Sequence, residues 1–553
     1  MSEFRVRAKV IRKNRPILSM QNKDLAHAFK LTGQLMELHG ENPFKIRSYS
    51  NAAFRIGRLD QQLSNVSYDD LESIDGIGKS VAAKIVELLE TGSMQFLEGM
   101  VAKTPVGVID MMSIKGIGPK KIATIWKDLG VESVGELLYA CNENRLVELK
   151  GFGAKTQEQI KKMIEFRLSN EGLFHFAAIE GLANDLLEEL RTLLPNIRVE
   201  LAGQVRRKCE VVDTITLLVG DASVELPELT TGEIPVRVEV LQCPAENFAW
   251  HWLQHSADPA HLSKLNWENE PSAADEAAIY QANGHPYIVP EMREGRSEFE
   301  WAARHSTDDL LTLENLKGSL HNHSTWSDGR HSLKEMAVYC RDMGLTYLGI
   351  CDHSRAAFYA NGLSAERVAE QQAEIDRLNV ELAPFKIFKG IESDILNDGS
   401  LDYEAPVLAS FDFIVASVHS NLKMDREKAT NRLLTAIENP YTTILGHPTG
   451  RLLLSREGYP IHHEAIIDAC AANGVVIELN ANPLRLDLDW RWVDYAQNKG
   501  EMISINPDAH HTDGFHHHRY GVFAARKGGL LRANTFNTLS TQELEAYFIQ
   551  RKA

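Results

Sequence analysis

Two histidines spaced i and i+2, His321 and His323, are followed five residues later by Asp328. Side chains of these types at this spacing can turn toward one point at the end of a strand. Alone they mean little, but the chain repeats the device. Short apolar runs stop on metal-type side chains at Tyr347–His353, Phe385–Glu392, Phe413–His419, Thr443–His447, Val475–Asn480 and Met502–His510. No cysteine stands among the candidates, which argues against a closed structural zinc site. Imidazoles mixed with carboxylates suit zinc, manganese or iron and permit more than one ion. Clustered divalent ions activate water and clamp the oxygens of a phosphoryl centre. The chemistry that follows is metal-assisted phosphoester hydrolysis.

The elements that must position these groups are legible as well. Short β-branched runs separated by helical stretches read as βα units around a buried parallel sheet. Polar residues at the carboxyl ends of such strands are where a barrel of this type builds its site. The motifs His321-x-His323, Ser327-Asp328-Gly329, Asp352-His353, Gly390-x-Glu392, Ser417-x-His419, His447-Pro448 and Asp508-x-His510 resemble the PHP (polymerase and histidinol phosphatase) domain over roughly residues 315–550. That resemblance implies a distorted (β/α)7 barrel with a trinuclear site. Its ligands would be His321, His323, Asp328, His353, Glu392, His419, His447, Asp508 and His510. The family often has Asp where this chain has Ser319, which bears on tuning around the ligands rather than on binding. Asp352 is expected to orient neighbours rather than to ligate. Arg451 and Arg485 lie just past strand ends, where each is either a phosphate clamp or a surface salt bridge. Of His516, His517 and His518, at most one can be functional, because consecutive residues do not face one ion.

The other half differs in charge. Residues 1–173 hold 25 Lys+Arg against 21 Asp+Glu, leaving 34 against 55 for the remainder, so a mildly basic half precedes a strongly acidic one. The basic half suits a polyanion, with a solvated surface as the plain alternative. After a helix patterned through Leu25, Phe29, Leu31, Leu35 and Leu38, the stretch Asn42–Tyr49 interleaves Lys45 and Arg47 with Phe44 and Tyr49. Such a stretch can hold a backbone phosphate and stack a base or sugar, or it is a capped helix start with a buried Phe. Three related elements follow: Gly76-Ile-Gly78-Lys79, Gly116-Ile-Gly118-Pro-Lys120 and Gly151-Phe-Gly153-Ala-Lys155, each opening a helix. Glycines there let backbone N–H groups approach a phosphate at a helix N-terminus. The repeat resembles helix-hairpin-helix motifs that hold nucleic-acid backbone without reading sequence. The first hairpin and the Tyr49 region also resemble the eight-kilodalton domain of the DNA polymerase X family. Lys84 falls where relatives within that family carry a Schiff-base lysine, so a lyase role stands beside a solvated lysine or a phosphate contact.

Between the halves, Gly203-Gln-Val-Arg206-Arg207 and Glu210 resemble the start of a nucleotidyltransferase palm. Aligned on those residues, the family's metal-binding aspartates fall on Thr214 and Thr216, its Ser on Gln204 and its third carboxylate on Glu239. Asp213 sits out of phase with Thr214 and Thr216 on a strand. Neutral threonines cannot hold two divalent ions against a triphosphate. The expectation is a palm without polymerase chemistry that keeps its packing residues.

The 553-residue chain thus reads as multidomain. Residues 1–20 form an arm, 21–100 an eight-kilodalton-like all-α DNA-binding domain, and 101–173 a helix-hairpin-helix domain. Then come an α/β palm and thumb over 174–300, a linker at 301–314 and the PHP barrel at 315–553. No segment is apolar enough to span a membrane, no signal core stands at the start, and six scattered cysteines fit a reducing cytoplasm. The resemblance implies a manganese-dependent (or zinc-dependent) 3′→5′ exonuclease of DNA repair with three metal ions per chain. It leaves room for abasic-endonuclease or 3′-phosphatase activity. The expected partner is gapped, recessed or abasic DNA, and the expected state a monomer. A histidinol-phosphate-type phosphatase and a non-catalytic DNA-binding scaffold are the competing readings. The hairpins oppose the first and the full ligand set the second.

Overall fold

The computed structural model describes residues 20–552, apart from 60, 75–76, 115, 170–171, 228, 230–233 and 267–270. Residues 1–19 of the expected arm, and Gly76, therefore lie outside the described residues. The chain divides into two compact units: residues 1–138 with 149–164, and residues 139–148 with 165–553.

The first unit is helical. Its first helix, Asn22–Leu38, buries Leu25, Phe29, Thr32, Leu35 and Met36 on one face, the 3–4 spacing of an amphipathic helix. Helix Pro43–Ile56 starts under an Asn42 cap whose Oδ1 accepts from Phe44 N at 2.9 Å. Gly78 and Gly118 are the N-caps of helices Lys79–Thr91 and Pro119–Leu129, both in extended backbone. Gly116 and Gly151 take φ of +85° and +89°, a region glycine enters without strain. The glycine repeat is therefore a set of real inter-helix turns.

The second unit holds a mixed α/β region and a barrel. In the former, β1 (Phe174–His175) pairs antiparallel with β3 (Val211–Val212). A three-stranded sheet has the order β2 (Val199–Ala202), β4 (Thr214–Val219), β5 (Arg237–Gln242), antiparallel and then parallel. The barrel follows. Its seven parallel strands are β6 (Gly318–Ser319), β7 (Tyr347–Ile350), β8 (Lys386–Asp394), β9 (Phe413–Ser417), β10 (Ile444–Leu445), β11 (Val476–Asn480) and β12 (Ile503–Asn506), hydrogen-bonded in sequence order. A parallel bridge from Asn322 to Ala509 nearly closes it.

Strands β7, β9, β11 and β12 are buried along their whole length, as a sheet covered on both faces requires. Leu320, Tyr347, Phe388, Phe413 and Val476 fill one core cluster together with Phe536 and Phe548. A Cβ on Gly349 or Gly390 would come within 2.5 Å of the Phe413 ring, so both glycines make room for it. The stretch expected to link the middle to the barrel is itself packed, since Leu310 and Leu311 are fully buried and Leu310 bridges to Leu531. No described helix is long and apolar enough to cross a membrane.

Candidate metal centre

All seven barrel strands deliver polar groups at their carboxyl ends. His321 and His323 follow β6, His353 follows β7, Glu392 lies near the end of β8, and His419 follows β9. His447 follows β10, Glu478 and Asn480 end β11, and Asp508 and His510 follow β12. Asp328 arrives on the loop after His323. The nine expected residues converge. His323, Asp328, His353 and His510 form one group of potential donors; His321, His323 and Asp508 form a second; His353, Glu392 and His419 form a third; Glu143, Asp508 and His510 form a fourth. Within each group the candidate ligand atoms lie within 4.8 Å of one another. His447 Nε2 joins through Glu392 Oε1 at 2.9 Å.

The electrostatics show why these side chains tolerate burial together. Burial works against ionisation of Glu392, yet the imidazoles of His419, His321 and His353 outweigh it and hold the carboxyl well below its ordinary range. Burial likewise opposes charge on His419, but Glu392 and Asp394 raise that imidazole to about 9. Burial and the neighbouring imidazoles of His510 and His353 lower His323 to about 3. His447 and Asp508 hold left-handed backbone, φ +24° and +53°, which non-glycine residues adopt at a cost.

These residues fit divalent ions. Buried His321 Nε2, His353 Nε2, His510 Nε2, Asp328 Oδ2 and Glu392 Oε2 have no hydrogen-bond partner, although buried polar atoms are ordinarily satisfied. Several imidazoles are also oriented from behind. His321 Nδ1 lies 2.7 Å from Glu478 Oε1, and His419 Nδ1 lies 2.6 Å from Asp394 Oδ1, leaving each Nε2 toward the centre. Carboxylates in this position set the tautomer and raise the basicity of a ligating imidazole. Sequence reasoning did not single out Glu478 or Asp394. The i, i+2 pairing of Glu392 with Asp394, and of Glu478 with Asn480, was the available signal, because such pairs share a strand face.

Asp352 behaves as expected of an orienting group. It accepts from Ser324 N, Ser324 Oγ, Ser327 Oγ and Gln371 Nε2 at 2.5–2.8 Å, which ties down the loop bearing Asp328. Ser319 Oγ donates to Asn322 Oδ1 at 2.9 Å. Arg485 sits at the centre, 4% exposed, its Nε unpartnered and its guanidinium 4.7 Å from the Tyr139 ring. Arg451 does not serve as a clamp. Its guanidinium is spent on Asp489 at 2.5 Å and on the carbonyls of Arg485 and Leu486, which makes it a brace for the loop after β11. His516 Nε2 meets Tyr339 OH at 2.9 Å, and none of His516, His517 and His518 joins a donor group among the described residues.

In the helical unit, Lys45, Arg47, Lys79, Lys120 and Lys155 are exposed. The Asn42–Tyr49 stretch divides between its two readings: the helix start is capped, but Phe44 is 81% exposed rather than buried. Tyr49 is a correction. Its ring packs 5.5 Å from Phe29 and 6.1 Å from Phe96, so it is not an open stacking platform. The Lys84 ammonium is held 2.6 Å from Glu87 Oε2 on the same helix.

In the middle region, Thr214 pairs with Arg237 and Thr216 with Glu239 across parallel β4 and β5. That face also carries Glu200 of β2, in register with Leu218. Asp213 is exposed, and its backbone N donates to Gln204 Oε1 at 2.9 Å.

Comparison with known proteins fits this architecture. Residues 20–94 match the Helix-hairpin-helix domain family, 108–165 the SAM-like Helix-hairpin-helix tandem, and 319–482 the PHP domain. The DNA polymerase/3′-5′ exonuclease PolX of Bacillus subtilis is 33% identical over 96% of this chain and 99% of its own length. The chain belongs to the bacterial PolX family. A probable phosphatase of Caldanaerobacter subterraneus subsp. tengcongensis is 33% identical, but over only 18% of this chain and 41% of its own. One of Syntrophotalea carbinolica is 28% identical over 29% and 64%. In this PolX-family chain, the PHP barrel and its buried His/Asp/Glu groups support a metal-dependent phosphoesterase role in DNA metabolism.

Proposed function

We propose that this chain is a DNA repair nuclease that shortens DNA 3′→5′ at its PHP barrel, acts on gapped, recessed or abasic substrates, and has lost polymerase activity. The observation that carries the reading is the meeting of His321, His323, Asp328, His353, Glu392, His419, His447, Asp508 and His510 at one mouth of the barrel. Manganese or zinc, three ions per chain, would be held by these nine residues. Bound there, such ions lower the pKa of water and draw charge from a phosphoryl centre. Arg485 supplies a fixed cation for a substrate phosphate oxygen, and Tyr359 offers a second donor, its buried hydroxyl being unpartnered. Glu478 and Asp394 hold imidazole tautomers, and the surrounding burial excludes bulk water.

The exposed Lys45, Arg47, Lys79, Lys120 and Lys155, with the glycine turns at Gly78, Gly116, Gly118, Gly151 and Gly153, would hold DNA backbone. The domain limits follow the same reading, with residues 21–173 docking DNA, 174–300 a degenerate palm and thumb, and 315–553 hydrolysing. Loss of polymerase activity is supported by Thr214 and Thr216 in place of a carboxylate pair, with Glu239 paired across from Thr216.

The test uses 5′-labelled duplex DNA with recessed, gapped or abasic strands, manganese, and dNTPs present or absent, comparing the native chain with His323→Ala. Stepwise shortening that is lost in the variant, without extension, is expected. Template-directed extension would overturn the inactive palm. Absence of cleavage on every DNA, with hydrolysis of small phosphate esters, would overturn the nuclease in favour of a phosphatase.

A further inference from the structure

The barrel's metal-facing histidines share a pattern that runs beyond the barrel. His321 and His419 each present Nε2 to the centre while Nδ1 meets a carboxylate, Glu478 at 2.7 Å and Asp394 at 2.6 Å. His510 has a related neighbour. Its Nε2 lies 3.3 Å from Asp328 Oδ1, inside the first donor group, and its Nδ1 lies 2.5 Å from Glu143 Oε2 as an ion pair, without the hydrogen-bond geometry of the other two. Glu143 is not a barrel residue. It precedes β6 by 175 positions, within the stretch 101–173 that the sequence assigns to a helix-hairpin-helix domain.

The local chain explains how Glu143 reaches the site. The helix Val134–Asn142 ends, and Asn144 takes a left-handed turn at φ +59°. Asparagine is the commonest residue after glycine in that conformation. Arg145 N closes the turn on Ala140 O at 2.9 Å, so Glu143 and Arg145 leave the helix end side by side. Residues 139–148 belong to the same compact unit as the barrel.

Three side chains of the stretch each meet a different expected ligand. Glu143 meets His510, Tyr139 OH donates to Asp508 Oδ2 at 3.3 Å, and Arg145 Nε lies 3.6 Å from Asp328 Oδ2. Glu143 is only 3% exposed. A carboxylate is carried into such a place only against a compensating charge or donor, and His510 and Arg145 are the compensation here. The hydrogen bond at His510 Nδ1 is with the Asp508 carbonyl at 3.1 Å, which is uncharged, so Glu143 acts on this nitrogen by its charge.

We propose that Glu143 is a positioning residue of the metal centre, acting through His510 as Glu478 and Asp394 act through His321 and His419. It rests on the metal reading above and extends it. The barrel's own sequence would then be insufficient for full metal affinity, because the carboxylate behind one imidazole is supplied from residues 139–148.

The experiment is calorimetric titration of manganese into the metal-stripped full chain, with the metal-free melting temperature measured on each sample. The variants are Glu143→Ala, Glu143→Gln, Glu478→Gln as the barrel counterpart, and Glu148→Gln as an exposed carboxylate of the same stretch. Removing a carboxylate behind a ligating histidine lowers metal affinity by roughly 10- to 100-fold. That loss is expected for E143A and E478Q, a smaller loss for E143Q, which keeps an acceptor without the charge, and none for E148Q. E143Q conserves shape, so it reports even where E143A disturbs the fold. Native affinity in both Glu143 variants while E478Q weakens would overturn the proposal and leave the metal centre standing. A loss in E143A that follows a fall in its metal-free melting temperature and is absent from E143Q would also overturn it. If the native chain takes up no manganese, the metal reading itself falls.

Discussion

Glu276→Gln tests how far one buried carboxylate holds the middle region together. Glu276 is 4% exposed and accepts hydrogen bonds from Arg206 at 2.6 and 2.7 Å, from Arg293 at 2.8 and 2.8 Å, and a longer one from Tyr287 OH at 3.5 Å. Burial alone would raise its carboxyl, but Arg293 and Arg206 pull it from 4.5 down to about 2. At about 1.36 kcal/mol per pH unit, that depression corresponds to about 3 kcal/mol. A depressed carboxylate contributes fully above its unfolded-state value near 4.5 and loses the contribution as pH falls through 2. Neutralising it leaves two buried guanidinium groups without an anion, at a cost of roughly 3–5 kcal/mol. The assay is urea unfolding followed by tryptophan fluorescence, since the Arg206 guanidinium lies 3.4 Å from the Trp252 ring centre. At pH 7 the variant should unfold at lower urea, and the gap to the native chain should close between pH 4.5 and pH 2. Equal midpoints at pH 7, or a gap that ignores pH, would refute the reasoning.

Four further outcomes are expected. Glu501 is pushed up to about 8 by burial, so its penalty grows as pH rises from 4.5 to 8; Glu501→Gln should raise the melting temperature at pH 8 and leave it nearly unchanged at pH 4. Arg485→Ala should cut DNA hydrolysis by roughly 10²-fold or more with the fold intact, whereas Arg451→Ala should lower stability and spare turnover in the folded fraction; steady-state kinetics beside melting curves separate the two. Replacing Lys79, Lys120 and Lys155 by Ala should flatten the salt dependence of DNA binding, by about one unit of slope for each phosphate that no longer meets a lysine, read by fluorescence anisotropy at several salt concentrations. Phe413→Ala should cost roughly 3–5 kcal/mol, measured by urea unfolding, because Gly349 and Gly390 cannot fill the space the ring leaves.

Much of the centre was legible from residue types and spacing. Histidines and acids that end apolar runs must gather where parallel strands end, because every βα unit points its carboxyl end the same way. That topology and the glycine turns depend on local pattern, which a sequence displays directly. The state of individual side chains was not legible in this way. The sequence marks Lys84, Arg451 and Tyr49 by type and position, but not their partners, Glu87, Asp489, and Phe29 with Phe96. Such partners depend on distances of a few ångströms between groups that no periodicity links. Glu143 is the extreme case. Its approach to His510 spans 367 positions and depends on how the chain packs, so only the tertiary structure could bring that carboxylate to the metal centre.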